Sequence, residues 1–105
     1  MTKKAPVISY GASADDLIIT ARKSADSSKA DQVGVLVSND QYSLEPISDW
    51  DTLGFRGTCS SGFVVEAHAR EEQIFPVPFS DVLSQSMHPY AHVTWASLWS
   101  GIAAD

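Results

Sequence analysis

Positive charge is scarce in most of this sequence. The last lysine is Lys29. Residues 31–105 contain ten carboxylates and only two cations, Arg56 and Arg70, so their net charge is −8. The first thirty residues contain five cations and three carboxylates, so their net charge is +2. The whole chain therefore carries a net charge of −6. An acidic surface repels phosphate and attracts basic partners. We therefore expect no direct nucleic-acid binding and a protein partner with a basic surface.

The chain also lacks other signals that would define its class. It has one cysteine, Cys59, so it forms no internal disulfide, and a reducing, cytoplasmic setting is the simplest prediction. No apolar run approaches the roughly 18 residues of a membrane span, so we expect no membrane partner. Tyr10–Ser13 resembles a phosphate-binding turn, but Asp15 and Asp16 would repel a phosphate there. We predict no cofactor and no metal.

The composition, 44% hydrophobic and 19% charged, is typical of one globular domain over residues 1–105. Val33–Val37 is predicted to be a strand. Phe63–Arg70 alternates apolar and polar residues, which indicates an antiparallel strand with one wet face. Pro6–Tyr10 and Tyr42–Leu44 are shorter strand candidates, and residues 46–51 are predicted to form a loop.

Two segments are compatible with either a helix or a strand. Ser13 and Asp16 form a capping-box pattern that favours a helix over residues 14–27, whereas Leu17–Thr20 is rich in β-branched residues and favours a strand; we favour the helix. Residues 89–100 fit either form, and we favour the strand. Residues 23–32 are predicted to be a polar surface loop or a frayed helix end. With a short helix from Ser80, the prediction is an α+β fold: a small, mostly antiparallel sheet with one or two helices packed on one face.

Four side chains could carry chemistry. Cys59 lies in a loop of small residues, and His68, His88 or His92 could activate its thiol. His88 and His92 are four residues apart, but His88 precedes Pro89 and should lie outside or at the cap of any helix. We favour structural roles for all four, with Cys59 as a small hydrophobic residue and the histidines at or near the surface.

The acidic residues are the stronger candidates for function. Trp50 lies between two carboxylates, and two interpretations stay open: an exposed anchor for a basic partner, or a lid folded back on the core. The predicted partner-binding residues are Asp40, Glu45, Asp49, Trp50, Asp51, Glu66, Glu71 and Glu72.

These observations support three hypotheses. The first is a small acidic module that binds other proteins. In its specific form, the module is an inhibitor that mimics the charge of a polyanion and binds a basic, nucleic-acid-binding protein. The second is a subunit of a homo-oligomer that pairs through the extended Ile74–Val77 edge. The third is a small enzyme or ligand binder that uses Cys59 and the histidines. We expect the first, and a non-enzymatic role.

Overall fold

The computed structural model describes all residues, Met1–Asp105, and confirms the α+β class. The chain divides into two compact units, Met1–Ile19 with Val35–Ile74, and Thr20–Gly34 with Phe75–Asp105. No helix combines the length and the apolar character needed to cross a bilayer. The elements are strands β1 (Thr2–Ala5), β2 (Asp16–Arg22), β3 (Gln32–Ser38), β4 (Tyr42–Ser48) and β5 (Gly62–Ala67), and helices α1 (Phe79–Val82) and α2 (His88–Ala104).

β5 is the central strand of an antiparallel three-stranded sheet, with β1 on one side and β4 on the other. Its residues Phe63, Val65 and Ala67 are buried, whereas Glu66 is exposed. The predicted alternation is therefore confirmed as far as Ala67, where the strand ends. Period-two burial leaves the opposite face of this sheet available to solvent.

β2 and β3 form a second, two-stranded sheet. Leu17 and Ile19 from β2 and Val35 and Val37 from β3 are buried, and Val37 retains only 1% of its accessible surface. The predicted strand at Val33–Val37 is confirmed. Residues 23–31 connect the two strands, and the Lys23 amide donates to the Asp31 carbonyl at 3.1 Å.

A pair of glutamine side chains ties two turns of the first unit together. Gln73 Nε2 donates to Gln41 Oε1 at 2.7 Å, and Gln41 Nε2 donates back to Gln73 Oε1 at 3.0 Å. The same Gln73 nitrogen also donates to the Leu36 carbonyl at 2.8 Å. Next to this pair, Ile74 forms an isolated antiparallel bridge with Val35. The 70–74 segment is therefore fixed by side-chain amides as well as by backbone.

Three local predictions are wrong. Residues 16–22 form β2, so the favoured helix does not form. The β-branched residues within Leu17–Thr20 prevail over the capping pattern at Ser13, because Leu17 and Ile19 are buried as alternate residues of a paired strand. The first strand is Thr2–Ala5 rather than Pro6–Tyr10, because it pairs with β5 in that register.

β4 continues through Pro46 to Ser48, where a loop was expected, and Pro46 is tolerated because β4 is an edge strand.

The favoured strand over residues 89–100 is also wrong, because the segment lies in helix α2. A π-helical turn at Leu83–Met87 joins α1 to α2, and Leu83 and His88 at its junctions both have right-handed helical angles. Pro89 has no amide hydrogen and would crowd the preceding turn of a regular α-helix. The wider π turn precedes it, so the helix continues and His88 lies inside it rather than at its cap.

Substitution of Gly34 would test the packing in the second unit. A Cβ at this position would lie 2.7 Å from the Phe75 ring and 3.0 Å from the Phe79 ring, whereas a Cβ at Gly54 would have no neighbour within 4 Å. We expect Gly34→Ala to lower the free energy of unfolding by about 1–3 kcal/mol through overpacking. Gly54→Ala is the matched control and should change it by less than about 0.5 kcal/mol. Urea denaturation measures both, and equal effects would contradict the packing shown here.

Tyr42 makes a partly buried polar contact in the first unit that can be tested by substitution. Its hydroxyl donates to the Ala14 carbonyl at 2.7 Å, and burial, followed by the negative charges of Asp15 and Asp16, raises its pKa above the ordinary value of 10.0. The folded state therefore keeps this proton at a pH where the unfolded state loses it. The contribution of Tyr42 should be complete below pH 10 and should fall as the pH rises further.

Tyr42→Phe should cost about 1 kcal/mol at neutral pH and flatten the alkaline loss of stability. Chemical denaturation across the alkaline range measures this slope. Tyr90→Phe, on the exposed surface of α2, removes a similar hydroxyl and should keep wild-type stability at neutral pH. A Tyr42→Phe variant with an unchanged alkaline slope would show that this hydroxyl is not the group that titrates.

Candidate functional site

The solvent-facing side of the three-stranded sheet carries two of the predicted acidic residues. Glu66 lies opposite Ser43 on β4, and Glu45 lies opposite Val64 on β5, so both carboxylates belong to the same exposed face. Lys4 lies opposite Val64 from the other side, diagonal to Glu66. The face is thus acidic but contains one ammonium group.

A cleft of about 450 Å³ continues from the end of this face. Asp40 and Glu66 line it together with His68 and Arg70, which follow the end of β5. β5 ends at Ala67, yet Glu66, His68 and Arg70 all line this cleft. Two carboxylates in an open cleft provide acceptors for a cationic side chain of a partner.

A second cleft, also of about 450 Å³, shares His68 and Arg70 with the first but has an apolar floor. Val35, Val37 and Ile74 are among its lining residues, and Glu71 lies at its charged side. An apolar floor of this kind can contact the aliphatic stem of a long side chain. Glu72 lines neither cleft and forms an exposed ion pair with Arg70 at 2.9 Å, which contributes little to stability.

The loop between β4 and β5, residues 49–61, is held by hydrogen bonds at its tip. The Phe55 carbonyl accepts from Trp50 Nε1 at 2.9 Å, from Thr58 Oγ1 at 2.9 Å and from the Thr58 amide at 3.1 Å. Arg56 Nε donates to the Thr52 carbonyl at 2.7 Å. The tip therefore has a fixed conformation, and within it Leu53 is 100% exposed.

Three non-glycine residues near this loop adopt left-handed backbone angles. Tyr10, Phe55 and Cys59 have φ values of 55°, 56° and 45°. The Tyr10 amide donates to the Thr58 carbonyl at 2.9 Å, so the strained residues belong to one connected region. Each such conformation costs about 1 kcal/mol or more, and strain of this kind clusters at binding and switch sites.

Trp50 takes part in the hydrogen bonding of this loop. Its side chain is half-buried and its indole nitrogen is used within the loop, so it supports the tip rather than projecting from it. Asp49 and Asp51 on either side are exposed. The most exposed apolar residue of the loop is Leu53, which sequence reasoning missed, because no local pattern around Leu53-Gly54 distinguishes a projecting leucine from a buried one.

Cys59 is exposed, and its sulfur lies 3.7 Å from the Arg56 carbonyl. A cysteine that is activated by histidine requires the imidazole within hydrogen-bond reach, whereas this contact is with a backbone acceptor. His68 lines the clefts of the first unit, and His88 and His92 stack on α2 with ring centroids 5.7 Å apart. No group of three or more His, Cys, Asp or Glu side chains is placed to hold a metal ion.

The predicted acidic residues therefore fall into three neighbourhoods along the first unit. Asp40, Glu45 and Glu66 belong to the sheet face and its cleft, Asp49 and Asp51 belong to the loop, and Glu71 and Glu72 belong to the turn after β5. The register and the shared cleft bring Asp40, Glu45 and Glu66 together, and this grouping is not visible in their spacing along the sequence.

No protein-family model matches this chain. No curated protein and no solved structure matches it either. An assignment of function therefore depends on the chain's own residues, above all on the acidic sheet face with its clefts and on the hydrogen-bonded loop that presents Leu53.

Proposed function

We propose that the protein is a small acidic module that binds a basic surface of another protein through its β4–β5 loop. The observation that carries this proposal is Leu53, a fully exposed leucine at the tip of a hydrogen-bonded loop that begins with Asp49 and Asp51. Because hydrogen bonds hold the backbone of the loop tip, little backbone conformational entropy is lost when a partner covers Leu53. Exposed carboxylates beside it attract cationic groups and speed association.

Strain in the loop supports the same role. The left-handed angles at Phe55 and Cys59 cost free energy that the hydrogen bonds to the Phe55 carbonyl help to offset. Phe55 itself remains 44% exposed. A loop that is held in this way presents apolar groups in one geometry, as a binding surface requires, rather than burying them.

The two clefts of the first unit offer further contacts to a basic partner. Asp40 and Glu66 can accept hydrogen bonds from a guanidinium or ammonium group in the first cleft, and the apolar floor at Val35 and Ile74 can contact an apolar group of the partner in the second. In its concrete form, the proposal is an inhibitor that occupies a nucleic-acid-binding surface by mimicking the charge of a polyanion. The net charge of −6 agrees with that form.

Peptide binding tests the proposal with charge-matched variants. We expect the immobilised protein to prefer Lys- and Arg-rich peptides in an array graded by net charge, with weaker binding as NaCl rises. Leu53→Ala should weaken the best of these interactions about tenfold or more, because it removes the exposed anchor without changing the net charge. Asp49→Asn/Asp51→Asn should weaken it several-fold through lost electrostatic attraction.

Asp26→Asn/Asp31→Asn is the matched control, since it changes the net charge by the same amount in the loop between β2 and β3. It should leave the dissociation constant close to the wild-type value. Equal weakening by both double variants would show that overall charge, and not the β4–β5 loop, determines binding. An array without cationic preference would refute the proposed partner class, and circular dichroism would check that each variant is folded.

A further inference from the structure

Helix α2 differs from the rest of the chain because it has no acidic or basic side chain other than histidine. From Val82 to Ala104 the sequence contains no Asp, Glu, Lys or Arg. Large apolar residues on the helix are nevertheless exposed: Tyr90, Val93, Trp95, Leu98, Trp99 and Ile102. An apolar surface of this extent on a helix is normally covered by protein or lipid.

The apolar residues of α2 include a regular stripe. Ala91, Trp95, Leu98 and Ile102 follow one another at intervals of four, three and four residues, the spacing that places side chains along one side of a helix. Trp99 lies next to this stripe and stacks on Trp95, with ring centroids 5.9 Å apart and planes inclined by 19°. The stack restricts both rings before any partner arrives, which lowers the entropy cost of covering them.

We propose that this stripe is a self-association surface, at which α2 of one chain contacts α2 of a second copy. A basic partner would find no carboxylate on α2 between Val82 and Ala104, so the electrostatic attraction proposed for the β4–β5 loop does not operate there. A second copy brings an equally uncharged stripe, and no unpaired charge is buried when the two meet.

The exposed area agrees with such a contact. Trp95 is 45% exposed and Trp99 is 54% exposed, which corresponds to about 200 Å² of aromatic surface per chain. Two copies would cover about 400 Å² through the tryptophans alone, roughly a third of the 1,200 Å² at the lower end of stable interfaces. Leu98 and Ile102 on the same side enlarge this area.

A lipid surface is the alternative occupant. Helices that lie on membranes usually combine an apolar side with a side rich in Lys and Arg, which binds anionic headgroups. α2 has no such cations, and the chain as a whole is acidic. The observations therefore favour a second copy, and binding to lipid vesicles is kept as an outcome of the experiment.

Light scattering coupled to size-exclusion chromatography tests the inference at several concentrations. The wild-type mass should rise from that of one 11.3 kDa chain towards that of two as the concentration increases. Leu98→Glu places a carboxylate in the stripe of both copies and should raise the dissociation constant about a hundredfold. Ser97→Glu adds the same charge one residue away, on another side of the helix, and should leave the constant within about threefold of the wild type.

Salt separates this inference from the proposed function. Screening of the −6 charge should strengthen self-association as NaCl rises, whereas it should weaken binding to a basic peptide. The Leu53→Ala variant should still dimerise, and the Leu98→Glu variant should still bind the peptide. Failure of either variant test then counts against one surface only.

Three results would overturn the inference: a wild-type mass of one chain at every concentration, equal effects of Leu98→Glu and Ser97→Glu, or an unchanged mass for Leu98→Glu. A monomeric chain that co-sediments with phosphatidylcholine vesicles, and loses that binding in Leu98→Glu, would assign the stripe to lipid instead. Circular dichroism of both helix variants checks that α2 is retained.

Discussion

The central position of β5 is the constraint on which the first unit depends. Its backbone pairs with β1 and β4, and its alternate residues Phe63, Val65 and Ala67 are buried. A strand with two neighbours and one buried face leaves a single open face, on which Glu66 is displayed. The register on either side then determines which charges from β1 and β4 join it, so the acidic face is a consequence of strand pairing.

The segments that leave this sheet are fixed by side-chain hydrogen bonds rather than by further strands. The reciprocal Gln41–Gln73 pair holds two turns that are 32 residues apart in the sequence. Trp50 holds the tip of the β4–β5 loop through its indole nitrogen. Because neutral amides and an indole perform these tasks, the neighbouring carboxylates Asp49 and Glu71 are left exposed for interactions with other molecules.

The two candidate surfaces have opposite physical characters. The surface around the β4–β5 loop combines carboxylates with a projecting Leu53, which suits association with a cationic partner. Helix α2 presents stacked tryptophans without any formal charge, which suits contact with another uncharged surface. This division follows the sequence, in which carboxylates are dispersed before Asp81 and absent between Val82 and Ala104.

The sequence by itself determined the α+β class, the strand at Val33–Val37 through its near-continuous apolar run, and the strand at Phe63–Ala67 through its two-residue period. It also determined the uneven charge. Only the tertiary structure decided that Leu17 and Ile19 belong to a paired strand, because burial against distant residues outweighs local propensity there. Likewise, the π turn that admits Pro89 and the full exposure of Leu53 depend on backbone geometry that no neighbouring residue type encodes.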